Sequence, residues 1–381
     1  VFNRTTYGHF EQFLEMLGVD SEESDMSFAL SVDGGKLEWG SHNLDTIFAQ
    51  RSNLASPSFL YMIREVLRFG KEARKSIVYT VLDDSAHEKM SLGAYLKKHG
   101  YSKGFTNNYL LPMCAAVWSV SNKQVLDFDV QVMIRFWVNH HLLDLVDRPL
   151  WRVVKDRSRS YVAAVIALLK DARADTPCTR RVIKSVRGGP DVTIVIKSGR
   201  DQVVMATHAD VTLKILGGAA TAEERRVLEG VPYAENDVFL HRDPALMPRN
   251  RKVWASWNCI DFSEPNQSAA SDRPVCVSYY LNMLQRLPEG AGVLFVTLNP
   301  PTPPAKDKTV RHLKLAHPVF GAASAEAQRS LPSIQGKDRV WYCGAWCGWG
   351  FHEDGIKAAT EVSPPSPKPH PLGSETTRVA I

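Results

Sequence analysis

Residues 342–357 read Tyr-Cys-Gly-Ala-Trp-Cys-Gly-Trp-Gly-Phe-His-Glu-Asp-Gly-Ile-Lys. The apolar run before them predicts a buried strand that ends at Gly344. Gly344, Gly348 and Gly350 then let the backbone approach another group closely. A helix opens near Phe351, with Glu353 and Asp354 in its first turn. A helix start offers N–H groups without intrahelical acceptors and the positive end of the helix dipole, which suit an electron-rich ligand edge. The same residues also suit a tight strand-to-helix turn with acidic caps, and the segment alone does not separate the two readings.

Other catalytic signatures are missing. There is no Gly-x-Ser-x-Gly elbow, so an α/β-hydrolase is not expected. His352-Glu353 has Ile356 where a zinc-protease helix needs its second histidine. Gly336-Lys337 resembles the end of a phosphate loop, but Asp338 stands where Ser or Thr is required and Leu331 where the first glycine is required. Gly290-Ala291-Gly292 precedes a strand and lacks the third glycine of a dinucleotide fingerprint. His140-His141 lies in an apolar helical stretch and reads as packing or capping, so no metal site is expected. Cys343 and Cys347 are spaced too widely for a redox or zinc pair, and Cys114, Cys178, Cys259 and Cys276 are scattered. Reduced, buried thiols in an intracellular compartment, cytoplasmic or organellar, are the plain reading.

The elements that must position residues 342–357 are spread along the chain. Phe10, Phe13, Leu14 and Leu17 recur at helical spacing over 6–18, and Gly18 stops that helix. Met26–Val32 and Lys36–Trp39 alternate around Asp33-Gly34-Gly35, a hairpin signal. Residues 57–145 read as helices, interrupted by a polar surface excursion from Glu72 to Met90. A helix follows from Ser158, then short strands over 181–186, 192–196 and 202–207, and a helix over 209–216. Residues 236–300 are strand-rich. The tail from Ser363 is too proline-rich for a core element and reads as disordered. Sheet segments are thus separated by helices, which predicts mixed α/β (α+β) with interleaved domains. The 381 residues carry 46 basic and 41 acidic side chains, a net +5 that gives no reason to expect nucleic acid. No apolar run reaches the ~20 residues of a membrane span.

The segment Gly344–Lys357 resembles the C-terminal flavin signature of the amine oxidase and phytoene desaturase superfamily. It is most similar to the amine-oxidase-like flavoproteins associated with cyclopropane-fatty-acyl-phospholipid synthases. Supporting stretches are Val1-Phe2-Asn3 with Thr6-Tyr7, Ser24–Phe28 (SDMSF), Phe48–Arg51, Tyr109–Trp118, Arg148–Trp151, Ala206–Asp210, Leu246–Arg249 and Trp254–Asn258. The resemblance implies FAD and a Rossmann-like FAD-binding domain interleaved with a substrate domain of antiparallel sheet and helices. It places FAD-domain segments at 1–24, 148–218 and 335–362, and substrate-domain segments at 25–147 and 219–334.

Carried over by position, Gly344, Ala345, Trp346, Gly350, Phe351, His352, Glu353, Asp354 and Gly355 would line the flavin. Ile183 would touch the adenine side. Trp257, Asn258 and Trp349 are the candidates for a wall facing the reactive ring; no acid or base stands out. Asp156 replaces a glycine of the family in the loop before Ser158. The family's first βαβ unit with Gly-x-Gly-x-x-Gly is absent, and the chain starts at Val1, so a truncated reading frame is expected. The implied activity is hydride removal from a small or lipid-like substrate, with a cyclopropane-synthase-like enzyme as a possible partner. FAD binding by these 381 residues alone should be poor. The alternative is a non-catalytic remnant that binds a lipid or a partner.

Overall fold

In this computed structural model, residues 1–82, 90–118, 121–143, 148–168, 202–261 and 276–362 are described. The chain divides into two compact units. The first comprises Val1, Glu22–Val153 and Ala234–His317; the second comprises Phe2–Ser21, Val154–Tyr233 and Pro318–Ile381.

In the first unit, Phe28–Val32 and Leu37–Gly40 form the expected antiparallel hairpin, with Leu30 opposite Trp39. Gly34 and Gly35 turn it at φ +63° and +92°, a region that costs a side-chain-bearing residue. The hairpin is one edge of a seven-stranded sheet. Its order is Thr309–Pro318, Tyr233–His241, Phe295–Leu298, Cys276–Tyr280, Trp257–Ile260, Phe28–Val32 and Leu37–Gly40. The expected antiparallel sheet needs one correction, because Trp257–Ile260 runs parallel to Phe28–Val32. A parallel pair requires a long crossover, and here the whole helical region lies between the two strands in sequence.

Strand alternation gives this sheet two different faces. Trp257, Tyr279, Val296 and Leu240 are cross-strand neighbours on a half-exposed apolar face. Asn258, Ser278 and Thr297 line the other face and are fully buried, with His241 beside them.

The helical stretch begins with Pro57–Leu82, longer than the sequence suggests. The expected break at Glu72 does not occur. Glu72 instead accepts from Arg68 Nε at 2.9 Å, one turn back, and from the Tyr101 hydroxyl at 2.6 Å. Its polar side chain therefore stabilises the helix it was expected to interrupt. Phe59, Met62, Phe69 and Ala73 bury one stripe of this helix. Phe69 meets Tyr101, Phe105 and Trp137 at ring distances of 5.5–5.7 Å. Buried Glu65 accepts from the Ser102 N–H and hydroxyl, so its charge is hydrogen-bonded rather than stranded. His140 closes the Val130–Asn139 helix with its ring against the Phe136 carbonyl, in the capping role expected of it.

The second unit contains the Gly8–Met16 helix, which ends before Gly18 at φ +64°. It also contains the Ser158–Leu168 helix. Asp156 and Arg157 precede that helix at φ +59° and +72°. Asp156 thus adopts a left-handed conformation, which aspartate tolerates better than most residues. Val203–Met205 and Val340–Tyr342 pair in parallel. Their side chains share a core with Ala209, Val227, Leu228, Ala327 and Trp346. Two helices that pack there, Ala222–Glu229 and Ala322–Ser330, were not expected from the sequence. Ile183, Cys178, the strands expected over 181–186 and 192–196, and the tail from Ser363 lie outside the described residues.

Candidate functional site

Val203–Met205 and Val340–Tyr342 both point their carboxyl ends at the turn that begins with Cys343. Open α/β sheets place ligands at that end of parallel strands. The Cys343 N–H continues the pairing to the Met205 carbonyl at 3.0 Å. Gly344, at φ +144°, then swings the chain away. A Cβ there would meet the Trp346 indole at 2.9 Å. Trp346 is itself 2% exposed, and its indole N–H donates to the Thr207 carbonyl at 3.1 Å. Its side chain is therefore committed to the core, and only its backbone is available to a ligand.

The turn is pinned from outside by residues the sequence reading passed over. Gln328 Nε2 donates to the carbonyls of Trp346 and Gly348, at 2.9 and 2.8 Å. Gln335 makes a two-way pair with the Tyr342 backbone, at 2.7 and 2.8 Å. Phe320 lies against Gly350, where a Cβ would sit 3.3 Å from its ring, and 6.3 Å from the ring of Trp349. The sequence signal for Gln328 and Gln335 is weak, because neither glutamine belongs to a motif.

After left-handed Gly350 (φ +91°), the His352–Glu361 helix begins. The Asp354 carboxylate folds back to accept the Phe351 N–H at 2.9 Å and also the Trp349 N–H. It fills the space over Gly348, where a Cβ would collide with its Oδ1. Glu353 points the other way. Its Oε1 accepts from His9 N–H at 3.1 Å, with His9 Nδ1 at 2.6 Å, and its Oε2 accepts from Phe10 N–H at 2.9 Å. The carboxylate thus caps the first turn of the Gly8–Met16 helix. The His352 ring stacks on Phe10 at 4.7 Å, and Tyr161 closes on Phe10 edge-on at 5.8 Å.

This leaves the backbone N–H groups of His352, Glu353 and Asp354, which have no acceptor among the described residues. They are three consecutive donors at the start of a ten-residue helix. Carbonyl oxygens or ring nitrogens along the edge of a planar ligand would complement them. Gly355 packs on Ala345, whose N and Cβ would lie 3.8 and 4.0 Å from a Cβ at 355, and so draws helix and turn together. Gly344, Ala345, Trp346, Trp349, Gly350, Phe351, His352, Glu353, Asp354 and Gly355 therefore share one turn and helix start. No Gly-x-Gly-x-x-Gly cradle for a diphosphate is present anywhere in the sequence.

Trp257 and Asn258 belong to the first unit. Asn258 is fully buried, and its amide is consumed by Ala255 N–H (3.0 Å), the Ala255 carbonyl (2.6 Å) and the Ser278 carbonyl (3.0 Å). That is a structural role. Trp257 sits edge-on to Tyr279 at 4.8 Å, and its indole N–H has no acceptor among the described residues. Next to Asn258 runs a closed polar chain. His241 Nδ1 accepts from Asp243 N–H, so its Nε2 donates to Thr297 (2.7 Å), Thr297 to Ser278 (2.7 Å), and Ser278 to the Leu246 carbonyl (2.6 Å). Burial holds the His241 pKa below the usual histidine value, which keeps the ring neutral in this chain. Every member is satisfied, so the chain fixes the sheet and offers nothing to a ligand.

The thiols are equally quiet. Burial pushes Cys276 up to about 12 and Cys114 and Cys259 well above the ordinary value, so they stay protonated. Among the described residues no cluster could hold a metal, and no helix is long and apolar enough to cross a membrane.

No family model matches this sequence, and no curated protein matches it. Solved structures do match in shape. A putrescine oxidase variant redesigned at its cofactor site matches with a TM-score of 0.56 and 10% identity, over 93% of this chain and 85% of that one. A fatty acid isomerase from P. acnes that produces CLA gives 0.54 and 9%, over 94% and 84%. Cyclohexylamine oxidase from Brevibacterium oxydans gives 0.53 and 9%, over 94% and 84%. At such identities the likeness is one of fold, and the fold these residues adopt is the mixed α/β fold of those enzymes.

Proposed function

We propose that this chain is an FAD-dependent oxidoreductase of the amine-oxidase type, with the second unit as its cofactor domain and the first as its substrate domain. The observation that carries the reading is the set of N–H donors of His352, Glu353 and Asp354, left open at the carboxyl end of a parallel strand pair. They suit the pyrimidine edge of a flavin, which presents carbonyl oxygens and ring nitrogens. The likeness in fold to putrescine oxidase and cyclohexylamine oxidase supports it. A bound flavin would supply the hydride acceptor. The chain's own residues supply orientation: Asp354 and Gln328 fix the turn, and Glu353 anchors the helix start.

The substrate reading is an apolar, lipid-like molecule. Support comes from the half-exposed apolar sheet face of the first unit, formed by Trp257, Tyr279, Val296 and Leu240. The likeness in fold to a fatty acid isomerase points the same way. A partner related to cyclopropane synthases remains part of the proposal, on the sequence resemblance alone.

Fluorescence titration of the purified chain with riboflavin, FMN and FAD tests the reading. A site that grips the ring and has no diphosphate cradle should bind all three weakly and within a few-fold of one another. Gly350→Val should abolish that binding, because a β-branched residue does not tolerate φ +91°. FAD binding much tighter than riboflavin would reveal a diphosphate site that the sequence does not show. Binding of none of the three would remove the flavin reading and favour a non-catalytic lipid- or partner-binding module.

A further inference from the structure

The outward face of the Pro57–Leu82 helix combines apolar and basic residues in a way the flavin reading does not use. Leu60, Arg64, Leu67, Lys71 and Lys75 follow the i, i+4, i+7, i+11, i+15 spacing of one helical stripe. Leu60 is 44% exposed, Leu67 52% and neighbouring Tyr61 46%, while Leu54, in the turn leading into the helix, is 52% exposed. Single exposed leucines are ordinary, but here two lie one above the other on a stripe that also carries three cations, with Tyr61 and Leu54 exposed beside them.

Arg64, Lys71 and Lys75 are exposed and make no ion pair among the described residues. The acids of the same helix are turned away or already engaged. Glu65 is buried against Ser102, and Glu72 is held by Arg68 and Tyr101. Among the described residues, the outward stripe therefore carries positive charge that no acid of this helix compensates. Its apolar residues lie toward the amino end and most of its free cations toward the carboxyl end.

We infer that this face is a docking surface for an anionic lipid bilayer. Leu60 and Leu67 would enter the headgroup boundary, with exposed Tyr61 and Leu54 at its margin, while Arg64, Lys71 and Lys75 pair with lipid phosphates. Apolar residues beside unpaired cations on a helix lying in the interface plane are the chemistry such surfaces select. The inference stands independently of the flavin reading.

The test is flotation of the full chain with vesicles of phosphatidylcholine alone and of phosphatidylcholine with phosphatidylglycerol. Binding is expected only with the anionic vesicles, and added salt should weaken it. Neutralising Arg64, Lys71 and Lys75 to Gln should weaken it by roughly 100-fold, about fivefold per cation. Leu60→Ser with Leu67→Ser should also release the protein. Circular dichroism of both variants checks that they fold, as substitutions at exposed positions should allow. No binding, equal binding to neutral vesicles, or full binding by either folded variant would overturn the proposal. So would a dimer in solution that Leu60→Ser dissociates, since the face would then be covered by a second copy.

Discussion

Two helix starts meet in the second unit, and they are finished differently. At Gly8–Met16, the N–H groups of His9 and Phe10 are taken by both oxygens of Glu353. At His352–Glu361, the N–H groups of His352, Glu353 and Asp354 have no acceptor among the described residues. The residue that caps one helix thus stands in the uncapped turn of the other. An orphan N–H in a folded chain is usually met by a side chain, a turn or water. Three such donors together, beside a turn held by Asp354 and Gln328, are the group that the proposed flavin edge would meet.

The comparison breaks most severely at Gly348. An added Cβ would collide with Asp354 Oδ1 and lie 2.6 Å from Cγ and 2.8 Å from Cβ. Asp354 would have to leave the space and abandon its bonds to Phe351 and Trp349. Gly348→Ala should therefore cost about 3 kcal/mol of stability and remove flavin binding together with it. Denaturant melts and the riboflavin titration measure the two effects. A stable variant that still binds would mean the turn is looser than its packing indicates.

Glu353→Ala should do less and should separate the two helix starts. It removes the cap from His9 and Phe10 and should cost about 2 kcal/mol. The backbone donors at 352–354 remain, so riboflavin affinity should fall only a few-fold. A large loss of affinity with little loss of stability would give the Glu353 carboxylate itself a ligand role.

The sequence revealed the parts of this arrangement that depend on local rules. Gly18, the Asp33-Gly34-Gly35 turn and the acid-rich start after Phe351 each act over a few residues, and each falls where its chemistry requires. The distant partner of Glu353 is not legible, because two of its three bonds come from the His9 and Phe10 backbone N–H groups, and the His9 ring lies 344 residues away in sequence. Gln328 and Gln335 were missed for a related reason, since each holds a carbonyl or N–H of the turn from another element. The helix runs through Glu72 because that side chain is polar and yet engaged by Arg68 and Tyr101, so its polarity does not mark a surface excursion. The parallel pair at Phe28 and Trp257 depends on long-range pairing that neither strand encodes alone.

The smallest effect concerns pH. Burial raises the Asp354 pKa above the ordinary carboxylate value, and the Glu353 charge adds to this; the bonds from Phe351 and Trp349 N–H oppose it. The folded chain then holds that proton more tightly than the unfolded chain does. This contribution to stability is fully present below the unfolded value. It is lost as pH rises through the raised folded value, and above that it is flat. Asp354→Asn keeps an acceptor oxygen for Phe351 N–H and removes the titration. Across the acid range, the melting temperature of the variant should therefore lack the downward slope that Asp354 adds to the parent. If the slope is the same in both chains, the burial of Asp354 over Gly348 does not govern its protonation, and the turn is open to water at the end where the helix donors are left free.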